Sequence, residues 1–210
     1  MNAVISRFVC LSFLAPLALF AANASHAPLT VLIDFESPHS DASLSSLRAS
    51  LSQLLSPGHM KVEVQLRSDL PEHAQFGELV IFRMKGSCTM TTSVPPEPIY
   101  DERGPLALAY TSEGQVLHFG EVECDRVRSS LQRILGRNAS LKSQQAYGSA
   151  LAVVMAHEVY HMLGNERNHT HRGLTKPELS ASELMDNRTA MSAAALGTIE
   201  KNLGGAARTR

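Results

Sequence analysis

A chain of 210 residues is long enough for one domain with a substantial core, and its 44% apolar and 19% charged residues are typical of a globular protein. The formal net charge of -1 gives no reason to expect a nucleic-acid partner or an acidic interaction tail. The absence of Trp and an aromatic fraction of only 5% do not favour a carbohydrate-stacking surface.

The amino-terminal segment has the pattern of a secretory signal peptide. Arg7 provides a positive start, an apolar run covers 8–22, and Ala22-Asn23-Ala24 matches the small-x-small cleavage pattern. The apolar run is shorter than the roughly 20 residues that a membrane-spanning helix needs. We therefore predict a signal peptide over 1–24 and a single domain over 25–210. The mature protein is expected to be secreted or periplasmic, without membrane attachment.

The first part of the predicted domain consists of strands around one helix. A β-rich run over 29–36 predicts a buried strand, and leucines at helical spacing after Asp41 predict a helix that ends at Pro57. Alternating apolar residues over 62–66 and an apolar run over 78–84 predict two further strands.

A long irregular segment follows, over 86–105, and it is rich in Pro, Thr and Ser. Loops of this length are uncommon in compact domains and are often functional or tied to the rest of the fold. Cys88 lies at the start of the segment, and Cys124 is the other cysteine that remains after signal removal. An even pair in an exported domain predicts one disulfide between them.

The remaining sequence predicts two strands, a short helix, a buried helix and an irregular tail. The strands cover 106–111 and 116–124, the short helix covers 126–135, and the buried helix covers 143–163. A last helix is predicted over 180–203, with a break near Asp186. This order predicts one α+β domain with two lobes and a functional cleft between them.

The buried helix carries the segment that contains the clearest chemistry. His157 and His161 are four residues apart, so a helix places both imidazoles on one face with Cβ atoms about 5–6 Å apart. Two imidazole nitrogens at this spacing suit one zinc ion. Glu158 follows the first histidine, so its carboxylate would lie beside the metal and could act as a general base.

This segment resembles the metzincin metallopeptidases, whose motif reads His-Glu-x-x-His-x-x-Gly-x-x-His. His157, Glu158, His161 and Gly164 stand at the first four positions of that motif. The resemblance implies a metzincin-like zincin fold with a twisted mixed sheet, a buried motif helix and a small irregular carboxyl-terminal lobe. It also implies that Gly164 ends the helix and turns the chain beneath the metal through a positive φ.

The third zinc ligand departs from that motif, because Arg167 occupies its position and a guanidinium has no lone pair to donate. Short bacterial exported zincin-like sequences resemble the stretch 156–174 and place their third histidine where His169 stands. The resemblance therefore implies His169 as the third ligand. His171 is the alternative third ligand in the same loop. In a thermolysin-like arrangement, the third ligand would instead be a glutamate, either Glu183 or Glu178.

Two further features of such enzymes are left open by the sequence. Metzincins carry a Met beneath the metal, for which Met185 and Met191 are the candidates. A tyrosine could assist the reaction, with Tyr100, Tyr110 and Tyr147 as the candidates, whereas Tyr160 inside the motif is expected to serve packing.

Together these observations predict an exported zinc-dependent endopeptidase. Its peptide or protein substrate would lie extended beside an edge strand over 106–111, and Glu158 would activate the attacking water. The alternative is a secreted, non-catalytic zinc-binding or partner-binding module on the same scaffold. Nothing in the sequence decides the oligomeric state.

Overall fold

The computed structural model of the protein describes residues 28–56, 60–92, 104–186 and 189–206. The predicted signal peptide and Tyr100 lie outside these ranges. None of the helices in the described ranges combines the length and apolar character that crossing a membrane requires.

Strands and helices follow the predicted order, with small changes at their ends. The elements are β1 (Leu29–Phe35), α1 (Asp41–Leu55), β2 (Val62–Leu66), β3 (Glu78–Lys85), β4 (Ala107–Ser112), β5 (Gln115–Glu123), α2 (Cys124–Leu135), α3 (Leu141–Gly164), α4 (Ala181–Leu184) and α5 (Ala193–Ala206). Helix α2 begins at Cys124 rather than at 126, because β5 runs into it without an intervening loop.

The five strands form one mixed sheet in the order β2-β1-β3-β5-β4. Neighbouring strands are parallel except for β4, which pairs antiparallel with β5 and forms one edge of the sheet. Val80, Phe82 and Met84 alternate along β3 with no exposed surface, as expected for a central strand whose core-facing side is covered. The mixed sheet of the predicted α+β fold is thus confirmed.

Helix α3 is the centre of the molecule, because it contacts α1, α2, α5, β3, β4 and β5. It begins at the N-cap Ser140, whose side chain accepts a hydrogen bond from the Ser143 N–H. A close crossing with α1 is possible because Gly148 faces the backbone of Ser43, where a Cβ atom would overlap the carbonyl. Every residue from Tyr147 to Gly164 except Ser149 is buried, so the predicted buried helix is confirmed.

The end of α3 differs from expectation in the residue that carries the positive φ. Gly164 is the last helical residue, and Asn165 takes the left-handed conformation with φ 43° and ψ 41°. The Asn165 N–H donates to the Met162 carbonyl, and the Glu166 N–H donates to the His161 carbonyl. This is a Schellman motif, and Asn is the residue after Gly that best tolerates such a position.

The predicted disulfide between Cys88 and Cys124 is present, with 5.0 Å between their Cα atoms. It joins the end of β3 to the beginning of α2. Gln144 of α3 holds the same segment through its side-chain amide, which accepts from the Met90 N–H at 3.0 Å and donates to the Met90 carbonyl at 2.9 Å. The start of the long irregular segment is therefore anchored to the core.

The carboxyl-terminal lobe contains two helices where one interrupted helix was predicted. Residues 185–186 and 189–192, between α4 and α5, are not helical. This stretch makes hydrogen bonds outside the helices: the Thr189 hydroxyl donates to the Glu183 carbonyl, and the Ala190 carbonyl accepts from the Leu174 N–H. These partners compete with helix continuation, so the break is wider than the sequence indicated.

Candidate metal centre

Three histidines converge on one point at the base of the cleft. His157 and His161 project from one face of α3, and their Nε2 atoms lie 3.0 Å apart. His169 comes from the loop after α3, and its Nε2 lies 3.2 Å from that of His161. One possible ligand atom from each of the three lies within 4.8 Å of the others.

Hydrogen bonds at the opposite ring nitrogens orient two of these imidazoles. His157 Nδ1 lies 2.8 Å from the Leu174 carbonyl, and His161 Nδ1 lies 2.6 Å from the Glu166 carbonyl. A carbonyl can only accept, so both Nδ1 atoms carry the proton and both Nε2 atoms keep a lone pair that faces the convergence point. This tautomer is the one that binds a metal through Nε2.

The donor set fits zinc. Two nitrogens at 2.0–2.1 Å from a tetrahedral zinc lie roughly 3.3–3.4 Å apart. The two separations that involve His161, 3.0 and 3.2 Å, are close to this value, and all three ligand atoms lie within 4.8 Å of one another. Burial lowers the pKa of His157 to about 4 and lowers the pKa of His161 as well. Both rings are therefore neutral at pH 7, as metal ligation requires.

Glu158 lies beside the histidines and shares their buried position. Its side chain belongs to the cleft lining, yet the residue is only 7% exposed. Burial raises the pKa of the Glu158 carboxyl to about 7, and a hydrogen bond from the backbone of Ala109 on β4 acts in the opposite direction. The carboxyl is thus held between the histidine helix and the edge strand.

The cleft itself has a volume of about 890 Å³. Residues of β4 form one rim, α3 forms the base, and two stretches of the carboxyl-terminal lobe, 166–169 and 176–179, form the opposite rim. Because β4 is the edge of the sheet, its outer side faces this cleft without a strand partner in the described part of the chain. The predicted location of the site between two lobes agrees with this arrangement.

The structure does not bring the alternative ligands to this point. The Glu183 carboxylate accepts from Lys176 Nζ at 2.6 and 2.7 Å and from the Ser180 hydroxyl in a capping box. The Lys176 hydrogen bond and those of Ser180 lower the pKa of Glu183 to about 2. His171 is exposed and does not belong to the histidine group, and Glu178 is exposed on the cleft rim.

Of the two candidate methionines, Met191 is the one next to a residue that is hydrogen-bonded to Leu174. The Leu174 carbonyl that orients His157 belongs to a residue whose N–H donates to the Ala190 carbonyl at 3.2 Å. Met191 follows directly and is 5% exposed, whereas Met185 is half-buried at the end of α4.

The described candidate tyrosines lie away from the cleft. Tyr147 is completely buried, and its hydroxyl donates to the Cys124 carbonyl at 2.9 Å. Tyr110 stacks on Phe119, and its pKa is raised by a hydrogen bond with Glu121. Neither lines the cleft.

Sequence reasoning missed the backbone groups that organise the site. The carbonyls of Leu174 and Glu166 orient two histidines, and the backbone of Ala109 contacts Glu158. Every residue type offers the same backbone groups, so no side-chain pattern could have identified them.

Comparisons with known proteins give the class of fold. No protein-family model matches the chain, and a search of curated proteins finds no match. Two solved structures are similar, both with a TM-score of 0.51. A zinc-dependent peptidase from Methanocorpusculum labreanum is 13% identical, over 81% of this chain and 99% of that one. An archaemetzincin from Methanopyrus kandleri is 15% identical, over 88% and 99%.

At these identities the likeness concerns the fold. The protein has a zinc-peptidase-like α+β fold, with a five-stranded mixed sheet and a buried motif helix. The predicted fold class is confirmed, and a histidine cluster capable of holding a metal ion lies where its motif helix meets the cleft.

Proposed function

We propose that the protein is an exported zinc-dependent endopeptidase, with zinc held by His157, His161 and His169 and with Glu158 as the general base. One observation carries this proposal: three imidazole Nε2 atoms converge beside a buried carboxyl at the base of an open cleft. Zinc bound there would supply a Lewis acid that polarises the scissile carbonyl and makes water a better nucleophile.

The residues around the metal would orient its ligands and transfer the proton. The carbonyls of Leu174 and Glu166 keep two imidazoles in the tautomer that ligates through Nε2. The Glu158 carboxylate takes the proton from the attacking water and delivers it to the leaving amine. Its contact with the backbone of Ala109 places it at the rim where a substrate strand would lie.

The number of ligands favours an enzyme over a structural zinc module. Structural zinc sites are closed by four protein ligands, whereas catalytic sites have three and keep one position open. Among the residues that the structure describes, three histidines form the group, and they face a cleft of about 890 Å³. Glu158 would have no role in a closed structural site.

The shape of the cleft favours an endopeptidase acting on extended peptides. Cleft-lining residues run from Gly104 to Ala109 and include Thr111, so they lie on β4 and just before it, and Ala109 contacts Glu158. A peptide paired through backbone hydrogen bonds with the edge of β4, which has no strand partner among the described residues, would therefore extend to both sides of the catalytic centre. An exopeptidase would need the cleft closed at one end.

Export is supported by the signal pattern over 1–24 and by the Cys88–Cys124 disulfide, since disulfides persist in oxidising compartments. The mature protein would then be a single domain over 25–210 in the periplasm or the extracellular space.

Metal analysis of the purified mature protein tests the zinc site. We expect one zinc per chain, lost in large part from the His157→Ala, His161→Ala and His169→Ala variants. His171→Ala is the matched control from the same loop and should keep its zinc. Equal zinc loss from His169→Ala and His171→Ala, or stoichiometric zinc in the variant lacking both helix histidines, would contradict the assignment.

A further inference from the structure

The loop between His169 and Thr175 supports the proposed zinc site at two points. His169 at its beginning supplies one of the three converging Nε2 atoms. Leu174 near its end accepts the hydrogen bond from His157 Nδ1 at 2.8 Å. A change in the shape of this loop would therefore displace one candidate ligand and the group that orients another.

Two threonines close the loop between these points. The Thr170 N–H donates to the Thr175 carbonyl at 2.9 Å, and the two Oγ1 atoms lie 2.7 Å apart. Thr175 has 0% exposure, whereas Thr170 is half-buried. A fully buried hydroxyl has no access to water, and among the described residues Thr170 is the hydrogen-bond partner of the Thr175 hydroxyl.

The hydrogen-bond partners determine which of the two threonine hydroxyls donates to the other. The Thr170 hydroxyl donates to the Arg172 carbonyl at 2.8 Å, which uses its single proton. The Thr175 hydroxyl must then donate to Thr170 Oγ1, which gives a chain of two hydroxyls that ends on a carbonyl. That carbonyl directly precedes Gly173, whose φ of 73° makes the turn that returns Leu174 to His157.

We propose that the hydroxyl pair of Thr170 and Thr175 is a positioning element of the zinc site, which holds His169 and the Leu174 carbonyl at the separation that zinc binding requires. This inference rests on the proposed zinc site. It gives both threonines a role in metal affinity, acting through the loop and without contact to substrate.

The test is zinc affinity, measured by competition with a chelator. Thr175→Val removes the hydroxyl with little change of shape and should weaken zinc binding about 10-fold or more, as loss of groups that orient metal ligands does elsewhere. Thr175→Ser keeps the hydroxyl and should stay within about 3-fold of the wild type. Thr30→Val is the control, because Thr30 is a buried threonine on β1, outside the loop.

Repeating the measurement in the His169→Ala protein separates an effect on ligand positions from a general effect on folding. In the His169→Ala protein, Thr175→Val should weaken zinc binding by a smaller factor than in the wild type, because one of the two groups that it positions is already absent. Thermal unfolding of the zinc-free proteins checks that each variant is folded. If Thr175→Val does not fold, Thr170→Val replaces it, because Thr170 is the half-buried member of the hydroxyl pair. The same loss of zinc affinity is expected.

The possible results have distinct meanings. Wild-type affinity in both valine variants would overturn the inference and leave the zinc site intact. An equal loss with and without His169 would show that the threonines do not act through His169 and would also overturn the inference. A wild-type protein that binds no zinc would overturn the proposed site itself, and the inference with it.

Discussion

Replacing Glu158 with Gln should stabilise the zinc-free protein at neutral and alkaline pH, although it removes the proposed base. Burial raises the pKa of this carboxyl from 4.5 to about 7. Because the folded-state pKa lies above the unfolded value, the stability linked to the protonated carboxyl is complete below pH 4.5 and is lost as the pH rises towards 7. Above pH 7 the folded protein holds a buried carboxylate at a cost.

The magnitude follows from the same two values. The difference between a pKa of 4.5 and one of about 7 corresponds to about 3 kcal/mol at pH 8 and to about 1 kcal/mol at pH 5. Gln has nearly the same shape, cannot ionise, and keeps an acceptor for the backbone of Ala109. The stability gain of Glu158→Gln should therefore grow by about 2 kcal/mol between these pH values.

Urea unfolding of the zinc-free wild type and variant at pH 5 and pH 8 measures this gain. Glu178→Gln is the control, because Glu178 is exposed on the rim of the same cleft and its replacement changes the same side chain without touching a buried group. A Glu158→Gln gain that is independent of pH, or a loss at pH 8, would refute the reasoning from burial.

Three further predictions concern the scaffold. Gly148→Ala should lower stability by at least about 1 kcal/mol in urea unfolding, because the new methyl overlaps the α1 backbone; Gly197→Ala on α5, with open space around it, should be neutral or stabilising by up to about 1 kcal/mol. Burial lowers the pKa of His157 to about 4, so the zinc-free wild type should lose stability relative to His157→Gln as the pH falls from 6.5 towards 4. A difference in the free energy of unfolding that stays constant over this pH range would contradict the lowered pKa. Replacing Cys88 and Cys124 with Ser opens a loop with a sequence separation of 36 and should cost about 3–4 kcal/mol, and thiol alkylation of the unreduced wild type would contradict the disulfide.

Much of the site was predictable because its signal is local. The spacing of His157 and His161 specifies one helix face whatever the rest of the chain does, and the apolar run before them indicates burial. The disulfide followed from an even cysteine count in a chain with a signal-peptide pattern. The structure agrees with these features because each depends on few residues that are close in sequence or chemically distinctive.

Other features depend on contacts between distant segments and have no such signal. The left-handed residue after α3 is Asn165 rather than Gly164, and only the hydrogen bonds of the helix end show this. Between α4 and α5, the Ala190 carbonyl accepts a hydrogen bond from the N–H of Leu174, a residue distant in sequence. Gly148 reads in the sequence as a weak point of a helix, whereas the structure shows a close helix crossing.

The most direct test of the central claim is peptide cleavage by the zinc-loaded mature protein, compared with its Glu158→Gln variant at equal zinc content. A proteome-derived peptide library, read by mass spectrometry, reports the cleavage sites whatever sequence the enzyme prefers. We expect the wild type to cleave internal bonds in a zinc-dependent manner and the variant to be slower by at least roughly 10²-fold. Equal cleavage by both proteins, or no cleavage by a fully zinc-loaded wild type, would contradict the proposed function.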